Sequence, residues 1–161
     1  MINMCSQRVS SLNSGYDVVI IGGAMIGSSC AWFLKKHYGF NGSVLVIDRD
    51  LSYEWASTSH TNSCVRQQFS NELNVRISQF TAEFIKDFKT YMAPEPDVPE
   101  LRIQNFGYIY LTDDPAKAEI LKKLQAIQAD LGAGTQVLTP DEIAARYPFY
   151  NLDGIILGSL N

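Results

Sequence analysis

Residues 16–34 read YDVVIIGGAMIGSSCAWFL and residues 44–50 read VLVIDRD. Residues 16–21 are β-branched and almost wholly apolar, the pattern of a strand buried on both faces in a parallel sheet. Gly22-Gly23-Ala24-Met25-Ile26-Gly27 then turns the chain into a helix expected over residues 25–38. Ile26, Cys30, Phe33, Leu34 and His37 fall at helical spacing there, and Gly39, Asn41 and Gly42 punctuate its end. Residues 43–47 form a second strand. The order is strand, helix, strand, in about the ~30 residues that a βαβ unit occupies.

The turn has the chemistry of an anion cradle. Gly22 permits a tight turn, position 24 must let the backbone approach a pyrophosphate, and Gly27 lets helix and strand pack closely. The helix N-terminus points free N–H groups and its dipole at the anion. Ala24 stands where the middle glycine of this pattern belongs. Asp48 follows Gly27 by 21 residues and closes the second strand. A carboxylate there accepts both ribose hydroxyls of an adenosine and repels a 2′-phosphate, although Arg49 beside it opposes that repulsion. The candidate dinucleotide set is therefore Gly22, Gly23, Ala24, Met25, Ile26, Gly27, Asp48 and Arg49.

Composition narrows the class. The chain has 161 residues, 13 Lys plus Arg against 17 Asp plus Glu, and a net charge of −4. With 46% hydrophobic and 19% charged residues it is globular in character. The acidic balance argues against a nucleic-acid partner, which needs a basic face. No apolar run approaches the ~20 residues of a membrane span, so no integral membrane segment is expected. Cys5, Cys30 and Cys64 are odd in number and lack metal-ligand spacing. No disulfide framework and no metal site are expected, and a reducing, cytoplasmic setting follows. Residues 1–15 read as a flexible arm; Arg8 is the one charge among residues 1–14, and no apolar signal core is present.

Further along, residues 50–70 form a Ser/Thr-rich loop over ligand or solvent. Asn71 caps a helix expected from 72 to about 91 with Leu73, Ile77, Phe80, Phe84 and Phe88 as its apolar stripe. Pro94, Pro96 and Pro99 make a stiff connector. They divide the chain into a nucleotide-binding portion, 16–93, and a second portion, 100–161. In the latter, residues 103–112 read as strand or hairpin with Gly107 at a bend. Asp113 or Asp114 caps a helix over 115–131, and Gly132 stops it. Val137 and Leu138 form a short strand. Thr139 and Glu142 form a capping box with Pro140 in the first turn, and a last strand starts from 154. Tyr108 and Tyr110 either pack on their strand or face a ligand. Cys64 is expected as a small buried residue.

The stretches 16–34 and 44–50, with ASTSHTNSCVRQQFSNELNVRISQF at residues 56–80, together resemble the FAD-dependent amine oxidoreductases of the D-amino-acid oxidase and sarcosine oxidase superfamily. The nearest likeness is to sarcosine or dimethylglycine dehydrogenase-like members and the FAD-dependent oxidoreductase domain 1 type. The RQQFS run is its most specific part. The resemblance covers about residues 16–161; it departs at Ala24 and in the C-terminal part that longer members carry. It implies an α/β fold: a Rossmann-like FAD-binding βαβ unit with an incomplete sheet, then the start of an α+β substrate domain. The chain is thus expected as an N-terminal fragment of an oxidoreductase acting on a C–N bond of a small secondary or tertiary amine acid, with the electron acceptor unnamed. An NAD-dependent dehydrogenase and a catalytically incompetent nucleotide-binding fragment are the alternatives.

The resemblance also assigns roles in the loop. Ser57, Thr58, Ser59 and His60 are expected at the pyrophosphate and the flavin edge. His60 has two open roles: covalent attachment to the flavin 8α carbon, as some relatives show in an S-T-x-H setting, or a non-covalent polar contact. Asn62 and Ser63 depart from the small residues those relatives carry. Arg66 is the candidate catalytic residue, stabilising a reduced flavin or holding a substrate carboxylate; pairing with Glu72 is the alternative.

Overall fold

The computed structural model describes residues 13–161. Most of the arm expected over residues 1–15, positions 1–12, lies outside the described residues. The chain divides into two compact units, Met1–Cys64 and Val65–Asn161.

In the first unit, β1 (Val18–Ile21), α1 (Met25–Trp32) and β2 (Val44–Ile47) build the expected βαβ arrangement. β1 and β2 pair in parallel, from Val18 opposite Val44 to Ile21 opposite Ile47. The Asp17 carboxylate fastens one end of the pair, accepting the Ser43 N–H at 2.6 Å and its hydroxyl at 2.8 Å. The helical run does not stay α-helical to residue 38. A π-turn over Phe33–His37 follows α1, with the Tyr38 N–H bonded to the Phe33 carbonyl at 2.9 Å. Lys35 Nζ caps the exit by donating to the carbonyls of Phe40 (2.8 Å) and Gly42 (3.0 Å).

Burial of these strands on both faces is not what the structure has. The alternation is clear: Val18 and Ile20 are half-buried, whereas Val19 and Ile21 are 50% and 85% exposed. The sheet has two strands, and α1 is the helix in contact with it. Apolar side chains on the other face have no layer to pack against within this unit. The incomplete sheet expected from the sequence is therefore present.

The second unit has a three-stranded antiparallel sheet in the order β3 (Ile109–Thr112), β5 (Leu157–Leu160), β4 (Gln136–Leu138). β5 is central, with Leu160 opposite both Ile109 and Gln136. α4 (Pro115–Asp130) and α5 (Pro140–Arg146) pack on this sheet, and α2 (Glu72–Lys86) packs on α4. Ile143 and Val75 are wholly buried, beside Leu138, Leu157 and Ala118. Asp114, not Asp113, caps α4, accepting the Ala116 N–H at 2.8 Å. The Thr139–Glu142 box is complete: the Thr139 N–H reaches Glu142 Oε2 at 2.7 Å, and the Glu142 N–H reaches Thr139 Oγ1 at 3.3 Å.

The face that α2 buries, the residue where it ends and the burial of Cys64 all differ from expectation. The stripe read onto the helix after Asn71 is divided: Leu73, Ile77 and Phe80 are 64%, 53% and 41% exposed, whereas Phe84 and Phe88 are half-buried with their rings 5.7 Å apart. α2 instead buries Val75 and turns Gln79 inward, whose Nε2 donates to the Leu131 carbonyl at 2.8 Å. α2 also stops at Lys86, and a short α3 (Phe88–Met92) follows. The compact units divide after Cys64, and α2 makes contacts with both α3 and α4. Cys64 is exposed, as is Cys30.

Candidate functional site

The first cluster lies where β1 ends. Gly22 has φ +97, a left-handed value that a side chain would strain, and its N–H continues the ladder to the Ile47 carbonyl at 2.7 Å. Gly27 is buried. A Cβ there would overlap the Gly22 carbonyl oxygen and come within 3.1 Å of Ile20 Cγ2. The glycine requirement at 22 and 27 is therefore physical: one sets the turn, the other lets α1 cross β1 at backbone contact. Ala24 is the N-cap of α1, with φ −67 and ψ −160. That is ordinary geometry for an L-residue, so alanine at the middle position costs nothing in backbone strain. Met25 and Ile26 open the helix with exposed side chains, and first-turn N–H groups of a helix have no intrahelical acceptor.

Asp48 sits one residue past the last rung of β2 and faces this turn. Its Oδ2 accepts the Gly23 N–H at 2.7 Å and its Oδ1 accepts the Asp50 N–H at 3.1 Å. These two bonds, the Gly23 one first, hold the carboxyl below its ordinary value. A carboxylate, free N–H groups and a bare glycine backbone thus share one small surface. These donors and acceptors suit a dinucleotide, with the acid for ribose hydroxyls and the N–H groups for phosphate. The residues fit FAD in this respect.

The Ser57–His60 segment is a single 3₁₀ turn in the same unit. Ser59 Oγ donates to the Tyr53 carbonyl at 2.6 Å. His60 Nε2 is 2.8 Å from the Glu54 carbonyl, and its ring stacks at 6.1 Å from Trp55. A carbonyl only accepts, so Nε2 is the donor in this contact.

The second cluster lies in the other unit. The Arg66 guanidinium stands over three rings, at 5.0 Å from Phe69, 5.4 Å from Tyr108 and 5.9 Å from Tyr110. Its Nε is buried without a hydrogen-bond partner. The alternative pairing with Glu72 is not made: Glu72 binds Arg76 at 2.8 Å instead. Among the described residues no carboxylate pairs with Arg66. Burial raises the Tyr110 phenol, against the pull of Arg66. Tyr110 also borders two cavities. One, of about 290 Å³, is lined with Gln68, Phe69 and Gln128. The other, of about 600 Å³, is lined with Phe106, Tyr108, Tyr147, Phe149 and Tyr150.

The RQQFS run is positioned by its neighbours in space. Gln67 N–H donates to Asn161 Oδ1 at 3.1 Å, and Gln68 Nε2 donates to the Ser159 carbonyl at 2.8 Å. The Phe69 carbonyl accepts from Gln128 Nε2 at 2.9 Å. The sequence reading missed Gln68, Gln128 and Tyr53. The signal for Gln68 was its place in the most specific motif; nothing local marks Gln128, whose partner lies 59 residues away.

Comparison with known proteins gives the family. The family described as "DAO: FAD dependent oxidoreductase" matches residues 17–160, and the chain belongs to it. The chain is 36% identical over 146 residues to the FAD-dependent oxidoreductase domain-containing protein 1 of Bos taurus, covering 89% of this chain and 30% of that protein. It is 26% identical over 144 residues to the mitochondrial sarcosine dehydrogenase of Homo sapiens, covering 89% of this chain and 15% of that protein. The crystal structure of L-proline dehydrogenase from P. horikoshii superposes with a TM-score of 0.74 at 27% identity, over 93% of this chain and 37% of that one. The chain thus spans about 30% of the length of the Bos taurus relative. The NAD-dependent alternative finds no support in these matches. No helix among the described residues is long and apolar enough to cross a membrane.

Proposed function

We propose that residues 16–93 supply the adenosine and pyrophosphate grip of an FAD site and residues 100–161 open the substrate domain of an amine or amino-acid dehydrogenase or oxidase. The observation that carries this reading is the convergence of Asp48 Oδ2, the Gly22–Gly27 turn and the start of α1 on Gly23. In it, Asp48 accepts the ribose hydroxyls, Arg49 lies beside them, and the N–H groups of Ala24, Met25 and Ile26 face phosphate. When bound, FAD supplies the two-electron acceptance that oxidation of a C–N bond needs. Ser57, Thr58 and Ser59 line the path from the adenosine end. His60 takes the non-covalent role in this reading, because Nε2 is engaged by Glu54; covalent attachment would have to use Nδ1.

Arg66 is assigned the substrate carboxylate. A guanidinium flanked by Phe69, Tyr108 and Tyr110, with no carboxylate partner among the described residues, has its charge available for a planar anion. The substrate class is a small amine acid, in keeping with a relative named for sarcosine. The exposed free thiols of Cys30 and Cys64 suit a reducing compartment.

FAD titration followed by flavin fluorescence, with NAD as competitor, tests the grip. Saturable FAD binding that NAD does not displace, lost in Gly27→Val, is expected; NAD binding without FAD binding overturns the reading. Acid precipitation decides His60: flavin released wholly to the supernatant is expected, and flavin retained in the pellet and lost in His60→Ala reverses the assignment. For Arg66, the carboxylate role predicts that Arg66→Met raises KM for an amino-acid substrate with little change for its methyl ester. An equal effect on both overturns it.

A further inference from the structure

Tyr53 has φ +56, a left-handed value that is an outlier for a bulky aromatic residue. Strain of this kind costs on the order of 1–3 kcal/mol and persists where the surroundings over-determine it. Here they do. The Tyr53 N–H donates to the Asp50 carbonyl at 3.2 Å, and its own carbonyl accepts the Ala56 N–H at 3.0 Å and the Ser59 hydroxyl at 2.6 Å. A glycine would make the same turn without strain. Tyrosine at this position therefore serves something other than the turn.

Its side chain shows what. The phenol oxygen covers Gly23: a Cβ built on Gly23 would lie 2.8 Å from Tyr53 Oη and 3.6 Å from Cζ. The Asp48 carboxylate meets the same glycine at its N–H. An acceptor and a donor thus bracket one residue of the turn. The Tyr53 hydroxyl has no hydrogen-bond partner among the described residues. The turn that aims it also holds Ser59 and, through the Glu54 carbonyl, His60.

We propose that Tyr53 is a cofactor-binding residue beside the dinucleotide turn, with its phenol O–H placed to donate to an oxygen of the adenosine diphosphate half of the cofactor. The inference rests on the reading of Gly22–Gly27 as the FAD turn. Asp48 offers only acceptors, so it recognises hydroxyls. Tyr53 offers the complementary donor to an acceptor oxygen, on a phosphate or on the ribose. Its held backbone means that the ring need not be ordered again when the ligand arrives.

Tyr53→Phe keeps ring, turn and strain and removes the donor. The expected result is an unchanged melting temperature of the ligand-free protein and a loss in affinity for FAD and for ADP alone, about three- to ten-fold for a ribose oxygen and about ten-fold or more for a charged phosphate oxygen. Tyr53→Gly should melt higher without ligand, from relieved strain, and still lose ADP affinity by at least as much. Adenosine separates the two sources of the acceptor: a loss with ADP alone identifies a phosphate oxygen, and a loss with both identifies the ribose. ADP affinity equal to wild type in Tyr53→Phe overturns the proposal, as does a fall in ligand-free melting temperature large enough to account for the loss. If the wild-type protein binds neither FAD nor ADP, the reading of the turn itself has failed; if it binds them and Tyr53→Phe does so equally, only the role of Tyr53 has.

Discussion

Asp48 Oδ2 lies 2.7 Å from the Gly23 nitrogen, so the acid at the end of one strand is fastened to the turn that ends the other. The bond favours the ionised carboxyl, and the Asp50 N–H adds to it. The Ser43 bonds lower the carboxyl of Asp17, and the Thr139 bonds lower that of Glu142.

The pH dependence follows from these directions. A carboxyl lowered by folding contributes stability that is fully present above its unfolded value, and that contribution is lost as the pH falls through the folded value. The ordinary value is 3.8 for Asp48 and Asp17 and 4.5 for Glu142. Thermal melts should be flat from neutrality to about pH 5 as far as these groups are concerned, then fall on further acidification. Asp48→Asn should start lower at neutral pH and show a shallower acid limb. An unchanged acid limb in that variant would show that the Gly23 bond contributes nothing.

Gly27→Ala is the smallest change that tests the crossing of α1 over β1. The added methyl meets the Gly22 carbonyl oxygen, a backbone atom that cannot rotate away. A loss of about 1–3 kcal/mol or more is expected, as for overpacked sites. Urea unfolding should show a lower midpoint with an unchanged slope.

Gly23→Ala carries a different prediction, because φ is not restrictive there and the clash is with Tyr53 Oη at 2.8 Å. In Tyr53→Phe the nearest ring atom, Cζ, stands at 3.6 Å, an ordinary contact. Gly23→Ala should destabilise the wild type and cost less in the Tyr53→Phe background, with a coupling of about 0.5 kcal/mol or more. Additive effects would mean that the phenol does not rest on Gly23.

Thr139→Ala removes the acceptor for the Glu142 N–H and the hydroxyl partner of Glu142 Oε2. About 1 kcal/mol of stability should be lost, while Thr139→Ser retains most of it. Differential scanning calorimetry resolves both.

What could be read in the sequence was what neighbouring residues determine. The Gly22–Gly27 turn, the caps at Asn71 and Thr139, and Gly132 after α4 depend on contacts within a few positions, and the structure has them. The face that α2 buries could not be read the same way. Leu73, Ile77 and Phe80 form the more apolar stripe, but Val75 is the side chain that α2 buries in this unit. The cage around Arg66 escaped because Tyr108 and Tyr110 reach it from β3 and the residue before it, more than 40 positions away. Tyr53 escaped for another reason: left-handed backbone is expected at glycine or asparagine, and tyrosine gives no sign of it.

The pairing of β1 with β2 acts as a ruler for everything at its far end. The last rung joins Ile21 to Ile47, so residues 22 and 48 leave the ladder side by side. Sliding one strand by a single position would carry the Asp48 carboxylate about 3.3 Å along the sheet and turn it to the opposite face. Tolerance to insertion is therefore unevenly divided within one βαβ unit. Extra residues beside the left-handed Gly39, ahead of Ser43, lengthen a loop and leave the rungs alone. One extra residue inside the four of β2 breaks the alignment of acid and glycine. The part of this unit free to vary in length and the part that is not are separated by the length of one short strand.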